Sequence, residues 1–160
     1  MGLTVREKNE NDKELINAEL KEIWGSELLI TPGGVYKDVN NLEGIIIEYE
    51  GKFAGIILFA MQKNEMEIVE IHVKVPGIGI GRELLERVKA IAWKGKYKRL
   101  WVSTSNDNGE ALKFYHKHGF SVVNIYIGFM QEVRKYKPEL STTGIDGIPL
   151  LHQIELEIIF

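Results

Sequence analysis

Glycines at 77, 79 and 81 constrain this chain more than any other feature. Pro76-Gly77-Ile78-Gly79-Ile80-Gly81 joins a strand-like stretch, 66–75, to a segment whose Leu84, Leu85, Val88, Ile91 and Ala92 fall on one helical stripe. That stripe is closed by Lys94 and a C-capping Gly95. Residues 99–104 read as strand again. A strand, a tight turn, a helix and a second strand make a β-α-β crossover, which sets the two strands parallel in one sheet. The turn also carries chemistry, because glycines let backbone N–H groups approach a ligand and a helix start presents the positive end of its dipole. Both features suit a pyrophosphate. A dinucleotide fingerprint would need G-x-G-x-x-G, but Arg82 follows the last glycine and no Walker Gly-Lys-Ser/Thr is present. The bland alternative is a strand-to-helix corner that needs small residues.

The flanking pattern rules out a doubly wound sheet. Leu3-Thr4-Val5-Arg6 alternates like a short strand, and Asn11 or Asp12 caps a helix whose Leu15, Ile16, Leu20, Ile23 and Trp24 recur up to Gly25. Residues 26–41 read as irregular, with a turn at Thr31-Pro32-Gly33-Gly34 and Tyr36 the notable aromatic. Strands at 42–49, 53–61 and 66–75 are joined so tightly, by Glu50-Gly51-Lys52 and Lys63-Asn64, that they form an antiparallel meander. A helix over 108–118 closes at Gly119, a strand covers 120–127, and a short helix over 129–136 stops before Pro138. After a connector, 153–160 ends the chain as a strand whose exposed edge leaves a homodimer open. The class is α+β with a mixed, mostly antiparallel sheet. At 160 residues, with no repeat and no long linker, 1–160 is one domain.

Composition narrows the chemistry. The absence of cysteine excludes a disulfide scaffold, a thiolate nucleophile and a Cys-ligated zinc site, and His116 and His118 lack the i, i+4 spacing and third ligand of a metal site. A net charge of −3 gives no overall basic field, so no nucleic-acid partner is expected. Apolar runs at 44–47 and 54–61 are too short to span a bilayer, and the N-terminus reads as neither signal peptide nor lipid anchor. The expectation is a cytoplasmic protein without a membrane partner.

A second motif follows the 99–104 strand: Asn108-x-x-Ala111-x-x-Phe114-Tyr115-x-x-x-Gly119-Phe120. With Gly79-Ile80-Gly81-Arg82-x-Leu84-Leu85 before it, the chain resembles the GNAT superfamily of acetyl-CoA-dependent N-acetyltransferases. The resemblance covers 66–127 closely, and the tail, with Gly144-Ile145-Asp146-Gly147-Ile148-Pro149, looks like that of a little-characterised GNAT subgroup. It implies an α/β/α fold of about seven strands. The strands at 66–75 and 99–104, fourth and fifth of the family's fold, would be parallel and splayed. One departure is Pro76, where the family usually carries Gln or Arg, in a turn about two residues shorter than usual. Phosphate binding would then lean on the N–H groups of Ile78 to Arg82 and on the Arg82 guanidinium.

What the resemblance implies for function is acetyl transfer from coenzyme A to an amine of a small molecule or protein, with both substrates bound together and no metal. Ile71, His72 and Val73 would pair their backbone with the pantetheine arm, Gly77, Ile78, Gly79, Ile80, Gly81 and Arg82 would take the phosphates, and Asn108 would touch the arm. As an alternative, Asn108 is an ordinary helix N-cap. Lys113 and Lys117 could approach the outer phosphate. An N–H near Val73 would face the thioester carbonyl, and Tyr115 would protonate the leaving thiolate. Glu70 is the expected base, on the same strand face as His72, the alternative base. The acceptor is expected between the 28–36 loop and the connector before the last strand, including Tyr126, Asp146 and His152. The competing functions are a catalytically silent acyl-CoA-binding module, motivated by Pro76, and a plain nucleotide-binding protein, which rests on the glycines alone.

Overall fold

A computed structural model describes residues 2–160. Its strands are β1 (Leu3–Glu7), β2 (Leu29–Thr31), β3 (Gly34–Tyr36), β4 (Glu43–Tyr49), β5 (Lys52–Met61), β6 (Glu65–Val73), β7 (Arg99–Ser105), β8 (Ser121–Tyr126) and β9 (Gln153–Ile159). The helices are α1 (Lys13–Trp24), α2 (Ile80–Lys94), α3 (Gly109–Lys117) and α4 (Phe129–Tyr136). One seven-stranded sheet runs β1-β4-β5-β6-β7-β9-β8, and β2-β3 is a separate hairpin. No helix among the described residues is long and apolar enough to cross a membrane.

Both faces of the sheet are covered, which is why Ile45, Ile46 and Ile47 can follow one another in β4 and all be buried. Ile45 and Ile47 join the core under α2 and α3 with Ile57, Leu84, Leu85, Val88 and Phe120. Ile46 points the other way, into the core under α1 with Ile16, Leu20, Ile56 and Leu58. Helix α2 sits close to the sheet because Gly55 has no side chain; a Cβ there would lie 2.6 Å from Ile80 Cγ2.

The predicted mixed sheet is present, and the parallel pair between the strands at 66–75 and 99–104 is β6 with β7. In chain-order numbering β4 and β5 are an antiparallel pair, because the β2-β3 hairpin occupies part of the stretch expected to be irregular. Two other expectations are corrected. The last strand is no edge: β9 inserts antiparallel between β7 and β8, so the edges are β1 and β8. Asn9, not Asn11 or Asp12, makes the N-terminal cap, in a reciprocal box with Asp12 that precedes α1, while the Asp12 carboxylate pairs with Arg6 at 2.7 Å. Gly95 is the C-cap of α2 as expected, its N–H donating to Ile91 O, although the left-handed residue is the following Lys96. Gly95 is also required for space, since a Cβ would lie 2.6 Å from the Tyr97 ring.

Candidate active site

The parallel pairing of β6 and β7 is short. It runs from Glu65 opposite Arg99 to Ile68 opposite Val102 and stops, although β6 continues along β5 to Val73 and β7 continues along β9 to Ser105. The strands part where β6 carries a bulge: Phe59 faces Ile68 and Leu58 faces Glu70, which leaves Val69 extra and increases the local twist. Lys74 N–H donates to Ala54 O, so alternation along the ladder turns the N–H groups of Ile71 and Val73 away from β5 and into the gap.

A cleft of about 230 Å³ fills this gap. On the α3 side it is lined by Asn108, Ala111 and Tyr115, and on the α1 side by Trp24, Ile30, Thr31, Lys137 and Gln153. Glu70, Ile71 and Ser103 line the strands between. The cleft therefore takes its lining from both faces of the sheet.

Glu70 and Tyr115, predicted separately from a strand and a helix, both line this cleft. The bulge resets the strand's alternation, so Glu70 and His72 share the α1 face. There the Glu70 carboxylate accepts a hydrogen bond from Trp24 Nε1 at 2.8 Å. Burial in the sheet pushes Glu70 up to about 7, against the Trp24 bond and the attraction of Lys137. Tyr115, only 4% exposed, is fixed edge-on between the rings of Phe114 and Phe120. Burial raises its phenol well above the ordinary tyrosine range, and the Glu70 charge raises it further. His72 does not line the cleft. It stacks on Phe53 and has Nε2 3.6 Å from Glu19, and burial lowers its pKa despite that carboxylate.

The glycine turn lies beyond the cleft, at the start of α2. Gly77 and Gly79 adopt φ of 84° and 85°, which glycine tolerates best, and nothing stands within 4 Å of where their side chains would project. Ile80, Gly81 and Arg82 are the first residues of α2, whose N–H groups have no intrahelical acceptor. At Gly81 a Cβ would meet Val73 and the Phe114 ring at 3.5 Å, ordinary contact, so α2 lies beside α3 at this point. Pro76, Gly77, Ile78 and Arg82 are exposed, and an open, donor-rich corner of this kind fits a diphosphate.

The remaining predicted residues divide. Asn108 lines the cleft and also caps α3, its Oδ1 accepting from Ala111 N–H at 3.0 Å. Lys113 and Lys117 are exposed on α3 and do not line the cleft. Tyr126 donates to the Glu155 carboxylate at 2.5 Å, His152 Nδ1 accepts from Gly128 N–H at 2.8 Å, and Asp146 is exposed in the connector with a φ of 56°. The 28–36 segment does reach the cleft, through Leu29, Ile30 and Thr31.

Sequence reasoning missed Trp24, Ser103, Lys137 and Gln153 as cleft residues, and also Glu67. Glu67 is wholly buried beside the cleft, held by Thr31 Oγ1 and Tyr36 OH at 2.5 Å each, and burial raises its pKa despite both donors. No side chain fits at Gly33, because that carboxylate occupies the space. The available signal was a charge at a core position of a strand rich in Ile, Val and Met.

Residues 13–120 match the model of the acetyltransferase (GNAT) family. The chain belongs to the GNAT family. Among its relatives is the uncharacterized protein YxbD of Bacillus subtilis, 27% identical over 145 residues that cover 90% of this chain and 91% of that one. The fold is similar to that of a GNAT acetyltransferase from Elizabethkingia anophelis with acetyl-CoA bound, with a TM-score of 0.72 at 21% identity over 99% of each chain. It is also similar to Naa50 of Arabidopsis thaliana in complex with a bisubstrate analogue, with a TM-score of 0.74 at 17% identity over the whole of both chains.

Proposed function

We propose that this GNAT protein transfers the acetyl group of acetyl-CoA to a primary amine by direct attack while both substrates are bound. The observation that carries the reading is the cleft through the sheet, with Tyr115 toward α3, Glu70 toward α1, Ile71 between them, and the N–H groups of Ile71 and Val73 turned away from β5. Structures of the same fold hold acetyl-CoA or a CoA-linked bisubstrate analogue, which supports the choice of donor.

Acetyl-CoA supplies an activated thioester carbonyl. The N–H groups at the start of α2 and the Arg82 guanidinium bind its diphosphate, with Gly77 and Gly79 leaving room for close approach. An alkyl ammonium has a pKa near 10.4 and is almost wholly protonated at neutral pH, so a base must expose the lone pair. Glu70, at about 7, is close to half ionised there and takes that proton directly or through water. Val73 N–H donates to the oxygen on which charge develops. Tyr115 remains protonated and gives its proton to the departing thiolate.

Thermal shift and CoA release test this together. Millimolar acetyl-CoA is expected to raise Tm, and an amine panel is expected to contain at least one acceptor that releases CoA. Binding without turnover for any amine would favour the silent acyl-CoA-binding module that Pro76 motivates, and no thermal shift would remove both.

A further inference from the structure

The acceptor end of the cleft carries a charge pattern that acetyl transfer alone does not require. Lys137 follows α4, is half-buried, and lines the same cleft as Glu70. Two partly buried arginines, by contrast, have close carboxylates: Arg99 pairs with Glu65, Glu155 and Glu157, and Arg6 pairs with Asp12. Among the described residues no carboxylate lies within 4 Å of Lys137 Nζ. Glu70 and Glu139 attract this ammonium only without direct contact, so holding it partly out of water costs free energy, which an anion entering the cleft would recover.

Two more donors lie at this end without good acceptors. Ser103 Oγ is buried with no hydrogen-bond partner. The Gln153 amide nitrogen rests only on the Met130 thioether, at 3.4 Å. With Ser105 opposite Gln153, Ser103 and Gln153 are diagonal neighbours on one face of the β7-β9 ladder, and both line the cleft. An ammonium, a hydroxyl and an amide form a donor set for a carboxylate, while Glu70 and the exposed Trp24 indole bound to it face the amine.

We infer that the acceptor is an amino acid: its amine lies at Glu70, and its carboxylate is held by Lys137 with Ser103 and Gln153. This rests on the acetyltransferase reading and adds the substrate class. In the reaction a C–N bond forms as the C–S bond of the thioester breaks. The ammonium gives one proton to Glu70 before attack; Tyr115 protonates the departing thiolate and is restored by the second proton, which the nitrogen of the adduct loses as the amide forms. The cleft's about 230 Å³ must also admit the thioester, which suits a small acceptor.

The test is calorimetry on CoA-loaded protein with L-amino acids and, one by one, their carboxamides, which keep the amine and lose the charge. At least one acid is expected to bind about tenfold more tightly than its amide, and Lys137→Met is expected to abolish that ratio with CoA affinity unchanged. Ser103→Ala, a smaller change for the fold, is expected to reduce the ratio and serves if Lys137→Met does not fold. Equal binding of every acid and its amide would overturn the inference, as would a ratio indifferent to both variants. Acetylation of Lys137 itself, read as a mass gain on incubation with acetyl-CoA, would also overturn it by making the lysine the acceptor. Turnover is scored separately: selective binding without CoA release keeps the carboxylate site and removes the acetyltransferase reading.

Discussion

Replacing Glu70 with glutamine tests the electrostatics of the cleft without any substrate. Burial moves this carboxyl from the ordinary 4.5 to about 7, so between those values the folded protein holds a proton that the unfolded chain has released. The folded state thus binds more protons than the unfolded one, and stability falls as pH rises from about 4.5 to 7. At about 1.36 kcal/mol per pH unit the full cost is roughly 3 kcal/mol, reached above pH 7 and absent below 4.5. Glutamine imitates the protonated acid and can still accept from Trp24. Glu70→Gln is therefore expected to match the parent at pH 4.5 and to exceed it by roughly 3 kcal/mol at pH 8, a Tm gain of roughly 6–12 °C for a chain of this size. Urea or thermal unfolding across that pH range provides the assay. A stability difference that stays constant with pH, or a variant less stable at pH 8, would refute the claim that Glu70 sits in a desolvated site. The same variant is expected to lose acetyl transfer, a gain in stability at the expense of activity.

Other changes probe neighbouring features. Tyr115→Phe is expected to lower kcat by about 100-fold, the scale of a lost general acid, with acetyl-CoA Kd unchanged; full activity in steady-state kinetics would remove the phenol from the reaction. Gly55→Ala drives a methyl into Ile80 and is expected to cost about 1–3 kcal/mol, measured by denaturant unfolding. Tyr36→Phe removes one of two donors from a wholly buried carboxylate and is expected to cost about 1–3 kcal/mol at neutral pH. Because a raised Glu67 pKa leaves the acid protonated more readily as pH falls, that loss should shrink at acidic pH, where unfolding curves of variant and parent converge.

Local patterns carried much of the fold. Helix α4 occupies the span expected for it, ending before Pro138, because a proline's steric demand acts on the residues next to it. Gly119, with a φ of 93°, ends the α3 segment by an equally local preference. Tyr115 was legible as a candidate because a short motif contains it, and Glu70 because the family resemblance places a carboxylate at that strand position. Trp24, Ser103, Lys137 and Gln153 had no such signature: they come from a helix end, a strand, a post-helix turn and the last strand, and only the cleft brings them together. The β2-β3 hairpin was obscured because its strands are three residues each, too short for alternation to register.

By itself the sequence determined the types of the longer elements, the glycine corner and the parallel crossover, since each follows from steric and hydrophobic preferences acting over a few adjacent residues. Tertiary structure alone decided where β9 inserts, how Val69 bulges and turns Glu70 toward Trp24, and which side chains meet in the gap between β6 and β7. Those outcomes depend on pairing between distant strands and on the desolvation that pairing imposes, quantities that no local stretch of chain contains.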